Sequence, residues 1–227
     1  MKEISKFYKS LVQEVVIRQR ANEEGDSQEQ TFTRYCMELL SEAGETENYD
    51  IAFLERGLGT KNQLKINGYA ISDNYETVDL FISLYEGSEE PTTIHKEDID
   101  TAATRLKNFF RKAIYSELLN EIEESSTIFE FVNTLGTYKE LRDSLIRVNA
   151  FILTNGIYKG EIPSHTEISG YKIIYRVFDI NYLYQISEDA HAPITINLEE
   201  GGWQIRTSLR TPENESLSAC GHPGAQM

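Results

Sequence analysis

The amino-acid sequence predicts an α/β fold in three layers, and three observations carry that expectation. Apolar residues recur every three or four positions in two opening stretches, the spacing drops to two between Tyr49 and Tyr85, and helical spacing returns before further apolar strands. From Ile4 to Ala21, the residues Ile4, Phe7, Tyr8, Leu11, Val12, Val15 and Val16 form one face of a first helix. A second helix opens at Ser27, whose partner three residues on is Gln30, the spacing of a capping box. Its apolar stripe of Phe32, Cys36, Leu39 and Leu40 stops at Gly44.

Three short strands follow, at Tyr49 to Glu55, Gln63 to Ser72 and Thr77 to Tyr85. Gly57 and Gly59 punctuate the first gap and Ser72-Asp73-Asn74 the second, so the strands are expected to pair as an antiparallel meander. A helical pattern then spans Ile94 to Ile122, and Thr127 with Glu130 opens another that continues to Leu145. Strands are expected at Arg147 to Thr154 and Tyr171 to Asp179, a short helix at Asp179 to Ser187, and a last strand at Pro193 to Leu198. The string reads α α β β β α α β β α β, without an internal repeat. Residues 1–203 are read as one domain, and residues 204–227, small and polar without either period, as a disordered or truncated tail.

Composition narrows the function classes. The 227 residues carry 22 Lys and Arg against 37 Asp and Glu, a formal charge of −15, which argues against holding nucleic acid by bulk electrostatics. The apolar runs are far shorter than the roughly 20 residues a membrane helix needs, so no membrane partner is expected. No apolar stretch of a signal peptide stands at the start, and Cys36 and Cys220 make no disulfide framework, which points to a reducing cytoplasm.

A helix followed by a three-stranded meander, a helical crossover and further strands is also the order of a restriction-endonuclease-like core, the PD-(D/E)XK plan. That chemistry needs two or three carboxylates converging on Mg²⁺ and a Lys to polarise the attacking water. The candidate catalytic residues are Glu38 and Glu42 on the second helix, Lys65 and Asn67 on the second strand, and Glu86 after the third. Of these, Glu38, Asn67 and Glu86 are the candidate metal ligands. The match is poor at two points: Asn67 stands where an acid is wanted, and Glu86 has Ser88, not Lys, two residues later. Glu38 and Glu42 also read simply as solvated surface acids. On the third strand, Val78, Leu80, Ile82 and Leu84 alternate with Asp79, Phe81, Ser83 and Tyr85, the pattern of a core face.

The run TAATRLKNFFRKAIY holds Arg105, Lys107, Arg111 and Lys112 with no acid. It is a candidate phosphate-contacting patch, or else a solvated face that answers the six acids just before it. Other plans fail. The four His residues are isolated, Gly57-Leu58-Gly59 lacks the rest of a dinucleotide loop, and neither a P-loop nor a Gly-x-Ser-x-Gly elbow occurs.

The succession FTRYCMELLSEAGE, LKINGYAIS, VDLFISLYEGSEEP, RLKNFFRKAI, NAFILTNG and YKIIYRVFDINYLYQI resembles the N-terminal region of the abortive infection phage resistance proteins over about residues 1–202. The resemblance implies a bacterial defence role, exercised against phage at the cost of the infected cell, and a nuclease-like N-terminal domain ahead of a longer C-terminal region. Family members look to carry Asp where Asn67 stands and an acid near Leu84; both are neutral here. The resemblance therefore implies a phage-defence protein with a catalytically impaired PD-(D/E)XK-like domain. Such a chain would act by binding nucleic acid through the Arg105 to Lys112 helix, or a protein partner, a second copy included. The tail after Trp203 reads as a natural truncation or frameshifted remnant. The alternatives are an active Mg²⁺-dependent nuclease, the one case that requires Mg²⁺ as cofactor, and a non-enzymatic acidic interaction module.

Overall fold

A computed structural model describes residues 2–22 and 25–191. The expected strand at Pro193 to Leu198 and the expected tail lie outside the described residues. Within them, six α-helices pack on a six-stranded open, mixed sheet.

Helix α1 (Lys2–Ala21) buries Tyr8, Leu11 and Val15 from the expected stripe. Helix α2 (Gln28–Glu42) starts on the expected capping box, with the Gln30 amide donating to Ser27 Oγ and the Ser27 amide to Gln30 Oε1. Strands β1 (Tyr49–Arg56), β2 (Leu64–Ile71) and β3 (Thr77–Leu84) form the antiparallel meander.

Helix α3 (Lys96–Ile114) is the crossover, and it ends well before the expected Ile122. Ser116 takes a left-handed φ of 61°, which no continuing helix accepts, and only a 3₁₀ turn at Leu118–Asn120 follows. The single helix expected from Thr127 to Leu145 is two, α4 (Phe129–Thr137) and α5 (Lys139–Ser144). Tyr138 is extended between them, and the Arg142 guanidinium donates to the Gly136 carbonyl that the break leaves free. Gly136 itself lies where a Cβ would come within 2.7 Å of Ser116 Oγ, so α4 seats directly on the end of α3.

Strand β4 (Arg147–Thr154) has the bounds read from the sequence and runs parallel to β3. Strand β6 (Tyr171–Phe178) is parallel to β4, and helix α6 (Ile180–His191) follows with Asp179 accepting from the Asn181 and Tyr182 amides. The short strand β5 (Thr166–Ile168) was not anticipated. It pairs with β6 across the two-residue turn Ser169-Gly170, both at positive φ, as a tight hairpin requires. The sheet order is β1-β2-β3-β4-β6-β5.

The alternation read on β3 sorts the two cores. Val78, Leu80 and Ile82 join Leu106, Phe109 and Phe110 of α3 and Phe131 of α4 on one face. Phe81 joins Phe151, Phe178 and the apolar stripes of α1, α2 and α6 on the other, completing the three layers. Truncating an aromatic as buried as Phe109 costs about 3–5 kcal/mol in comparable cores. No helix among the described residues is long and apolar enough to cross a membrane.

Candidate functional site

Lys65 and Asn67, two apart on β2, both face the α2 layer near the end of β3. Gly68 beside them allows α2 to lie close, since a Cβ there would sit 2.8 Å from Met37 Sδ and 2.9 Å from the Asp50 carbonyl. The ladder between β2 and β3 runs from Ile71↔Val78 to Gly68↔Phe81. Beyond that point the Asn67 side chain takes over, and its Oδ1 accepts the Ser83 amide at 3.0 Å. This fixes the amide orientation, because only the oxygen can face that N–H.

The other end of the Asn67 amide donates to Glu29 Oε1 at 2.7 Å, and Lys65 Nζ lies 2.7 Å from Glu29 Oε2. Lys65 Nζ also approaches the Ser83 carbonyl at 3.4 Å. The Thr33 hydroxyl donates to the Glu29 carbonyl at 2.8 Å, which leaves the Ser83 hydroxyl to donate to Thr33 Oγ1 at 2.7 Å. Glu29 occupies the first turn of α2, where the exposed N–H groups favour a carboxylate. The Lys65 side chain is only 7% exposed and that of Glu29 27%, so the pair is largely withdrawn from water.

This arrangement has one carboxylate and one ammonium, and each acceptor oxygen already holds a donor. A Mg²⁺ ion requires several oxygen ligands near 2.0–2.1 Å, usually with more than one carboxylate. Glu29, Asn67 and Ser83 do not supply that set while Lys65 neutralises Glu29. Among the described residues, no group of three or more His, Cys, Asp or Glu side chains gathers to hold a metal. The arrangement can hold α2 to the meander and present a small polar surface; it has no nucleophile or base poised against a second group.

The remaining candidates from the sequence make other contacts. Glu38 faces α1 and pairs with Arg18 at 2.5 Å, an arrangement that raises the Arg18 pKa. Glu42 is exposed at the end of α2. Glu86 is exposed, accepts the Thr92 hydroxyl at 2.8 Å, and makes no hydrogen bond or ion pair with Glu29, Lys65 or Asn67. The structure thus brings Lys65 and Asn67 into one hydrogen-bonded set, in which none of the three acids expected with them takes part.

The basic run on α3 is largely answered by acids. Arg105 pairs with Glu55 at 3.3 Å, Arg111 with Glu117 at 3.9 Å and Lys112 with Glu121 at 2.8 Å. Lys107 lines a separate cleft with Lys96, Asp100 and Glu161, which balances two cations with two acids. Cys36 sits fully buried in the α2 core, where burial pushes its thiol well above the usual range.

Glu29 and Ser83 are the members of the site that sequence reasoning missed. A signal for Glu29 exists: Glu29, Thr33, Cys36 and Leu40 share one helical face at spacings of four, three and four. Glu38 falls about 160° from Cys36 on the opposite side of that helix, given 100° per residue.

The family model of the abortive infection phage resistance protein N-terminal domain matches residues 32–185, about two thirds of the chain. Lys65, Asn67 and Ser83 fall inside that span, and Glu29 just before it. Searches of curated proteins and of solved structures return no match.

Proposed function

Because the chain belongs to the abortive infection phage resistance family through this N-terminal domain, we propose that it is a phage-defence protein whose nuclease-like domain binds a protein partner without cleaving nucleic acid. The nuclease-like reading rests on element order. Helix α2, the β1-β2-β3 meander, the α3 crossover and a fourth strand parallel to β3 follow one another as in a restriction-endonuclease-like core.

The observation that carries the loss of cleavage is the closed contact set of Glu29. Lys65 holds one of its carboxylate oxygens and Asn67 the other, each at 2.7 Å. Metal-dependent phosphodiester cleavage needs free carboxylate oxygens to place the cation, so a site in which the lone carboxylate is spent on an ammonium favours a structural role. A protein partner is favoured over nucleic acid because four of the five basic residues on α3 have acidic partners and the chain carries −15.

Phage plating on cells expressing the whole protein tests the reading. The paired substitution Glu29→Gln with Lys65→Met removes both charges together and keeps similar volumes, which leaves folding close to neutral. The expected result is protection equal to that of the natural chain. Loss of protection by a variant that still melts cooperatively contradicts the reading and makes Glu29 or Lys65 part of an active centre.

A further inference from the structure

A polar cavity of about 410 Å³ opens at the end of β3 away from the Glu29–Lys65 pair, where β3 and β4 begin beneath the turn after α2. Its floor is Asp79. Asp79 is 7% exposed, and its carboxylate accepts only neutral donors, the Thr46 hydroxyl at 2.8 Å and the Asn149 amide at 2.7 Å. It makes no ion pair among the described residues, although burying a carboxylate without a cation is costly. Burial accordingly pushes the Asp79 carboxyl above the ordinary range, against the downward pull of Asn149, Thr46, Arg147 and Arg176.

Arg147 lines the same cavity from its exposed side, and its guanidinium also has no acid within ion-pair distance among the described residues. Arg147 acts on the Asp79 charge through space without pairing with it. Asp79 lies opposite Asn149, and Arg147 lies opposite Thr77, one pleat repeat toward the rim on the same face. The cavity therefore has a negative floor and a positive rim that form no ion pair with each other, and Ser72, Thr77 and Asn149 add hydroxyl and amide groups to its lining. Glu45, also in the lining, is committed to Arg176 at 2.7 Å and does not supply the missing partner for Arg147.

We infer that this cavity is a binding site for a small zwitterion of the amino-acid kind, its ammonium group on Asp79 and its carboxylate on Arg147. One such molecule supplies an ion-pair partner to each of the two charges. The polar lining suits its hydrogen-bonding groups better than an apolar ligand, and the volume falls within the range of small-molecule sites. Glu47 at the rim adds to the preference for an ammonium over a purely anionic ligand.

Titration of the ¹⁵N-labelled protein with glycine, L-serine and L-glutamine, followed by amide shifts, tests the inference without any substitution. The shifts are expected at Gly44, Thr46 and Asn149. Ethanolamine and propionate, each carrying one of the two charges, are expected to bind at least about tenfold more weakly. Arg147→Gln, at an exposed side chain, and Asp79→Asn, whose amide oxygen accepts from Asn149 while its NH2 donates to the Thr46 hydroxyl, are each expected to weaken the zwitterion by about tenfold or more. Absence of shifts at these amides with all three amino acids overturns the inference. So does equal binding of the singly charged controls, or undiminished binding by Arg147→Gln.

Discussion

The ammonium of Lys65, on a central strand, lies 2.7 Å from the carboxylate of Glu29, on the first turn of the helix above it. This contact joins α2 to the meander at the place where β2 and β3 part, and Asn67 completes it by bonding both Glu29 and the Ser83 amide. The same few atoms decide how this end of the sheet is held and what chemistry is open to it.

Removing one charge of that pair is expected to be costlier than removing both. Glu29→Ala leaves the buried Lys65 ammonium without its partner and should cost about 3 kcal/mol, the lower end for broken buried pairs because Glu29 is partly exposed. Lys65→Met should cost less, about 1 kcal/mol, since the carboxylate it leaves behind can be hydrated and still accepts from Asn67. Chemical denaturation of both singles and the double gives the coupling energy. Additive losses would show that the pair does not act as a unit.

Gly68→Ala should destabilise the fold by about 2 kcal/mol. The new methyl would meet the Asp50 carbonyl at 2.9 Å and Met37 Sδ at 2.8 Å, and only the thioether can move aside. Met37→Ala opens a cavity at its own cost, and in that background Gly68→Ala should cost less than in the natural chain if the contact with α2 is the cause. A midpoint in urea unchanged by Gly68→Ala would contradict the close approach of helix and sheet.

Two carboxylates should give opposite slopes in acid. Glu45 is held below the usual range by the Arg176 guanidinium and the Tyr182 hydroxyl, so its contribution is present above about pH 4.3 and is lost as pH falls through its depressed value. Arg176 is itself more than a third exposed, which keeps that contribution small. Asp79 is raised by burial, so its charge costs stability once pH has risen through its elevated value, and protonation relieves that cost in acid. Asp79→Asn is expected to melt higher than the natural chain at pH 7, and the advantage should vanish below about pH 3.9, the ordinary Asp value. Glu45→Gln should melt slightly lower at pH 7 and match the natural chain in strong acid.

The α3 cations should have little part in binding polyanions. Arg111→Ala removes an ion pair of two partly exposed side chains and Lys112→Ala one whose acid is partly exposed, and each should change stability by about 1 kcal/mol or less. Retention on heparin is expected to be weak and equal for the natural chain and the Lys107→Ala, Arg111→Ala double variant. A steep salt dependence that the double variant loses would mean these cations do contact phosphates.

How much of this could be read beforehand follows from which periods fix a residue's surroundings. The Ser27–Gln30 capping box placed the start of α2, and the alternation of β3 sorted Val78, Leu80 and Ile82 from Asp79 and Phe81. Lys65 and Asn67 were legible as neighbours because residues two apart on a strand share a face. Glu29 was not, since its place depends on how far α2 extends along the sheet, which the strand pattern does not state. Looking one turn back along the Thr33, Cys36 and Leu40 face would have reached it. The division of the expected Thr127 to Leu145 helix was hidden for a similar reason. Gly136 and Tyr138 break it through a contact with the end of α3, which is distant in sequence. The three-residue β5 is too short for any period, and only its Ser169-Gly170 turn marks it.

The most direct measurement is cleavage of plasmid DNA, phage DNA and RNA by the purified protein with Mg²⁺ or Mn²⁺, beside the Glu29→Gln, Lys65→Met variant. The expected result is no cleavage by either protein with either metal, and a melting temperature that neither metal raises. Metal-dependent cleavage by the natural chain that the variant loses would contradict this, because it would require Glu29 to leave Lys65 and hold the ion.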